Sequence, residues 1–173
     1  MADVKISALT QDTAPDRTAD SAPTYDSSAV ATKRVLLSDL GGYTVYANCA
    51  VSSPADSTTY YFGPHWARPL ATTAANHKIR FPRAGKITRI TIETLVVTTV
   101  ATTENITASF RLNDTTDTTI TSVMQLDQSS ETFTNSGLSI AVAAGDYGCI
   151  KLAMPAFATN PVDVCINVQI WVT

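Results

Sequence analysis

From Val162 to Val172 every second residue is apolar and β-branched: Val162, Val164, Ile166, Val168, Ile170 and Val172. Asp163, Cys165, Asn167, Gln169 and Trp171 occupy the places between them. Successive side chains of a strand point to opposite faces, so this period of two describes a strand with one face in a core. A helix would scatter the same residues around its circumference. Such a strand needs paired neighbours and a second layer over its apolar face, so the chain must supply several more strands.

It does. Lys78 to Phe81 alternates polar and apolar, and Pro82-Arg83-Ala84-Gly85 is a turn. In Lys86 to Val97, Ile90 and Ile92 share one face, while Arg89, Thr91 and Glu93 share the other. Ile106, Ala108, Phe110 and Leu112 fall on one face, and Asn113 to Asp117 forms a turn. Ile120 to Leu126 is a further strand, followed by the polar loop Asp127–Glu131. Leu138 to Val142 alternates again, Ala143 to Asp146 turns the chain into Tyr147–Met154, and Pro155 and Pro161 bracket a loop. Earlier, Tyr43–Val51 and Thr58–Phe62 are β-prone, and residues 64–76 read as an irregular loop. No segment holds helical apolar spacing beyond one turn, and there is no internal repeat. Short strands spaced by roughly 8–12 residues describe a sandwich or barrel, and about eight of them is the jelly-roll number. The expected fold is all-β: a jelly-roll-like antiparallel β-sandwich.

Residues 1–41 differ. Thr10 to Thr32 is rich in Ala, Asp, Ser, Thr and Pro, with too little large apolar surface to fold alone. Two short apolar groups flank it: Val4, Ile6 and Leu9 before, and Val35, Leu36, Leu37 and Leu40 after. The Gly41-Gly42 pair closes the segment. This reads as an extended N-terminal arm, residues 1–41, that orders by lying on a partner, followed by the sandwich, residues 42–173.

Charge narrows the function. Charged residues make up only 16% of the 173 and the net charge is -3. The tightest basic pair is Lys33-Arg34, so neither phosphate neutralisation nor polybasic membrane binding is expected. No apolar run approaches the ~18 residues of a membrane helix, so no membrane insertion is expected. The start, Met1 to Ser7, lacks the pattern of a secretory signal, which implies assembly in a cytoplasm.

Catalytic signals are sparse. There is no nucleophile elbow, phosphate loop or dinucleotide glycine motif. His65 and His77 have no second histidine or cysteine at metal-ligand spacing. His65 beside Trp66 reads as a loop contact, and His77, at a strand start, is expected at the surface. The acidic turn with Asp114 and Asp117 offers oxygens for calcium but lacks loop-site spacing, so a solvated hairpin turn is expected. Glu93, Glu104, Asp114 and Asp117 are the carboxylates from which a glycosidase pair would be drawn, with nothing to align them. Two glycosylation sequons, at Asn105 and Asn113, are expected to be chance matches in a Thr-rich chain for which no secretory leader is expected. No enzyme activity, cofactor or metal is expected. Cys49, Cys149 and Cys165 are an odd number with no CxxC pair, and read as small buried thiols. Whether Cys149 and Cys165 face one another stays open. Trp171 is out of phase with Ile170 and Val172, which leaves two readings: a subunit contact on the outer face, or a second buried layer.

The N-terminal segment resembles a motif at the start of tailed-phage virion proteins of the capsid-decoration, head-fibre or tail-fibre type. It is carried by Ile6-Ser7-Ala8-Leu9, Thr13-Ala14-Pro15, and Ala31-Thr32-Lys33-Arg34-Val35-Leu36-Leu37-Ser38-Asp39-Leu40. Gly85 to Ile90, Phe110 to Asp114 and Val142 to Asp146 are similar to the β domains of such proteins. The resemblance implies a homotrimeric virion component on the particle exterior, with no catalytic residues. Virion attachment would fall on Ile6, Leu9, Lys33, Arg34, Val35, Leu37 and Leu40, and Trp171 would be a subunit contact. The expected role is a capsid decoration or cement protein anchored by its arm, with the major capsid protein or another virion protein as partner. The alternative is a short tail-fibre or receptor-binding tip that meets a host surface receptor through loops 64–76 and 127–137.

Overall fold

The computed structural model of the protein describes residues 21–26, 31–36, 41–64 and 71–173. The chain divides into two compact units, Met1–Gly42 and Tyr43–Thr173.

The first unit contains β1 (Ser21–Asp26) and β2 (Ala31–Leu36), paired antiparallel with Ser21 opposite Leu36 and Asp26 opposite Ala31. Part of the segment expected to be extended is therefore a hairpin. The pairing is made by backbone groups, which side-chain composition does not report, so apolar content gave no sign of it.

Among the described residues, the regular structure of the second unit is strand apart from a one-turn 3₁₀ helix at Ala74–Asn76. Its strands are β3 (Tyr43–Val51), β4 (Thr59–Phe62), β5 (Ile79–Arg80), β6 (Gly85–Thr99), β7 (Ile106–Leu112), β8 (Thr116–Met124), β9 (Ser130–Asn135), β10 (Ile140–Val142), β11 (Tyr147–Ala153) and β12 (Val162–Val172). One sheet runs β10-β6-β12-β3, with β9 also on β6, and the other runs β4-β11-β7-β8, with β5 also on β11. Strands β4 and β5 lie in line along one side of β11, and β9 and β10 along one side of β6. Taking each of these pairs as one strand interrupted by a break leaves eight. The first pairs with the last (β3 with β12), the second with the seventh (β4/β5 with β11), the third with the sixth (β6 with β9/β10) and the fourth with the fifth (β7 with β8). That is a long hairpin rolled into two sheets, the jelly roll expected from strand count.

The alternating residues make the core. Val164, Ile166, Val168, Ile170 and Val172 of β12 are buried, facing Ile106, Phe110, Ile150 and Leu152 in the same cluster. Phe81 and Phe110 pack edge to face at the centre, ring centroids 6.0 Å apart and planes at 73°. Strand β9 was hidden inside the expected loop 127–137. Phe133 is its one apolar side chain, and it is held by pairing Ser130–Asn135 onto Leu95–Ile90 of β6.

Candidate interaction surface

The outward-facing positions of β3, β12 and β6 form a continuous sheet face. Register places Thr44, Trp171 and Arg89 in one row, then Tyr46, Gln169 and Thr91, then Asn48, Asn167 and Glu93, then Ala50, Cys165 and Leu95. Polar groups run along its middle: Asn167 Nδ2 donates to Glu93 Oε2 at 3.1 Å, and the Thr91 and Thr134 hydroxyls meet at 3.1 Å. Both ends carry exposed apolar surface.

At one end Trp171 is 41% exposed and the Arg89 guanidinium lies 5.0 Å from its ring centre. The phase argument placed this side chain outside the core, and no second layer covers it among the described residues. The stretch from Lys78 to Arg89, around the β5–β6 corner at the same end, holds five cations and no acidic residue, with Lys78 ion-paired to Asp114. Arg83 stacks on Tyr43, and the Tyr43 hydroxyl donates to the Arg83 carbonyl at 3.0 Å.

At the other end Leu95 and Val97 are exposed. A groove of about 230 Å³ lies there between β3, β12 and β6, lined by Ala50, Val51, Val97 and Cys165 and rimmed by Asp163. Asp163 has φ 57 and sits at a break in the β12–β6 register, between Val162 and Val164. Its N–H donates to Ser52 O at 2.7 Å, and Thr98 Oγ1 donates to its Oδ2 at 2.6 Å, so the carboxylate is fixed at the groove edge. A second, larger depression of about 660 Å³ adjoins it through Cys165, with Asn48, Glu93, Leu95 and Asn167 along its walls. Asn48 Oδ1 is fully buried there without a hydrogen-bond donor in reach. The connections at this end, residues 52–58, 100–105, 125–129 and 154–161, contain Asp56, Glu104 and Asp127 and no lysine or arginine. Burial and the nearby Asp127 charge hold the Glu131 carboxyl above its ordinary range.

The other sheet's outer face is an ion-paired network. Asp114 accepts from the Tyr147 hydroxyl at 3.0 Å and lies 3.6 Å from Lys78 Nζ. Asp117 lies 2.6 Å from Lys151 Nζ and 3.5 Å from Arg111. These carboxylates, weighed as calcium oxygens, are thus engaged by the protein's own cations. Glu93 lies in the opposite sheet, and Glu104 serves the 100–105 connection, where it accepts from Ala158 N–H at 3.0 Å. Of the four glycosidase candidates, Asp114 and Asp117 share this ion-paired network, while Glu93 and Glu104 lie apart from it.

His77 overturns its expected exposure: it is 1% exposed, beneath Gly63, where an added Cβ would come within 3.3 Å of it. The 3₁₀ turn folds it inward, its N–H donating to Ala74 O at 3.0 Å. All three cysteines are free thiols. Cys49 and Cys149 are buried, and burial pushes both thiols up to about 12, with Cys165 adding to the first and Asp114 to the second. Cys165, expected to be buried, is exposed because the β12 alternation turns it outward. It is in a different sheet from Cys149, so the two do not face one another. Of the attachment residues, Lys33, Arg34 and Val35 lie in β2 opposite Thr24, Pro23 and Ala22. Ile6, Leu9, Leu37 and Leu40 lie outside the described residues, as do His65 and Trp66.

Val97 and Asp163 of the groove, and Leu95 beside it, were not singled out from the sequence; Cys165 was, as a buried thiol. Leu95-Val96-Val97 did carry a signal: it breaks the alternation of β6, so that stretch is apolar on both faces.

No protein-family model and no curated protein matches the chain. A solved structure titled "Crystal Structure of FLHE" is similar at 12% identity and TM-score 0.41, over 76% of this chain and 97% of that one. A likeness that distant carries no functional argument.

Proposed function

We propose that the chain is a non-enzymatic structural protein on the exterior of a phage particle, a trimeric capsid decoration protein that residues 1–41 anchor to a virion partner. The observation that carries this reading is the two-part build. A jelly-roll unit follows a unit whose described strands form only a two-stranded hairpin. An isolated hairpin is marginal in water, so it gains stability by pairing with or packing on another surface. A compact sandwich is a suitable body to display, and trimerisation multiplies weak individual anchoring through avidity. The resemblance of residues 6–40 to phage attachment segments supplies the virion setting.

The test is add-back. Purified chain mixed with undecorated particles should sediment with them. Chain lacking residues 2–41 should stay folded and remain in the supernatant. Failure to bind any particle, with binding of residues 43–173 to host cells, would overturn the decoration role in favour of a receptor-binding tip.

A further inference from the structure

The exposed sheet face has two ends that fit each other. One offers an aromatic ring with a cation on it; the other offers an apolar groove with an anion on its rim. We propose that the Trp171–Arg89 corner of one copy docks into the Asp163-rimmed groove of a second copy. The inference rests on the self-association in the reading above, but not on any virion partner.

The fit has three parts. Trp171 presents an indole that is 41% exposed, stacked with a guanidinium at 5.0 Å, and tryptophan and arginine are enriched among the residues that carry most of the binding energy at protein interfaces. The groove is about 230 Å³, room for a single ring, and Leu95 and Val97 extend its apolar wall. Charge then sets the direction. Arg89 has no carboxylate within ion-pair distance among the described residues, and it belongs to the cation-rich β5–β6 corner. Asp163 is exposed and borders an end whose connections hold carboxylates and no cation. Like ends repel and unlike ends attract, so the contact joins opposite ends of two copies.

A copy cannot make this contact with itself. Trp171 and Cys165 are six residues apart on β12, roughly 20 Å along a strand. Both halves lie on one sheet face, so two copies stacked with strands reversed would make the contact twice. Repeated head to tail instead, the same contact closes a ring where its rotation closes and otherwise runs on as a filament.

The test has two arms on the purified full chain. Sedimentation should give a mass above that of the monomer. Trp171→Ala should weaken association by about tenfold or more, as truncating a central anchor does. Raising salt to about 1 M, where charges are screened within about 3 Å, should loosen it as well. In the second arm, Thr44→Cys puts a thiol beside Trp171 while leaving both Trp171 and Arg89 in place. Mild oxidation with diamide should then link it to Cys165 of another copy, seen as a reducible higher band. Ser122→Cys, on the other sheet, should give no such band. A monomer at all concentrations, association unchanged by Trp171→Ala, or equal cross-linking of the two cysteine variants would overturn the proposal. A closed dimer and a closed trimer both support it. Loss of particle binding in the add-back assay would leave these readings untouched, so the two proposals fail separately.

Discussion

Gly148→Ala probes the packing between β7 and β11. Gly148 faces the core opposite Leu112, and an added Cβ would sit 2.7 Å from Phe110 Cε2, closer still to Cζ, and 3.0 Å from the Arg111 carbonyl oxygen. Phe110 is completely buried and held edge-on by Phe81, so its ring has nowhere to retreat. Overpacking of this kind costs about 1–3 kcal/mol, and displacing the ring from its aromatic partner adds about 0.5–1.5 kcal/mol. Alanine's lower entropy in the unfolded chain returns about 0.4–1 kcal/mol. The net expectation is a loss of about 2 kcal/mol. With a urea m-value of about 2 kcal/mol/M, the midpoint should fall by about 1 M at unchanged slope. Phe110→Leu alone destabilises by leaving a cavity, yet in the Gly148→Ala background it opens the space the methyl needs. The double variant should therefore be clearly more stable than the sum of the two single losses predicts. An unchanged midpoint for Gly148→Ala, or strictly additive losses, would refute the packing argument.

Three other outcomes follow from the same geometry. In the native fold Ellman's reagent should titrate Cys165 rapidly and reach Cys49 and Cys149 only after urea is added, since burial shields both and pushes their thiols up to about 12. Asn113 and Asp114 turn the chain at φ 50 and 60, and the Asn113 amide donates to Asp146 Oδ1 at 3.0 Å while its carbonyl accepts from Tyr147 N–H at 3.1 Å. Asn113→Ala, poorly suited to that backbone and losing both bonds, should cost about 1–3 kcal/mol in a urea titration. Glu104 is held below its ordinary range by the Thr102 hydroxyl and the Ala158 N–H, and Asp146 by the Ala143 N–H and the Asn113 amide. Depressed carboxyls stabilise the fold above their unfolded values, near pH 4, and lose that contribution as pH falls through the folded ones. Glu131 is raised and opposes this trend. Urea midpoints between pH 5 and pH 2 should fall less steeply for Glu104→Gln than for the parent chain.

The jelly roll was legible because each inner strand must hide one face, and burial writes a period of two into the sequence. Val162–Val172 and Ile106–Leu112 carry it, as does the Arg89–Glu93 stretch of β6. Strands β1, β2 and β9 did not show themselves because backbone pairing holds them and backbone pairing leaves little trace in side-chain type. His77 was misplaced for a related reason. Its burial is decided by a 3₁₀ turn and by Gly63, which lies on another segment, and neither is a property of its neighbours in sequence. Phase set Trp171 on the face opposite Ile170 and Val172 but left a second buried layer open; the 41% exposure of the side chain decides for the outer face. The groove was not legible, because Ala50, Val97, Asp163 and Cys165 come together only through the register of β3, β12 and β6.

The proposed decoration role stands or falls on where the protein resides, and imaging labelled chain on intact phage particles asks that directly. It predicts label on the outer surface at symmetric positions, lost when residues 2–41 are removed. Label absent from the particles, or retained without those residues, would contradict it.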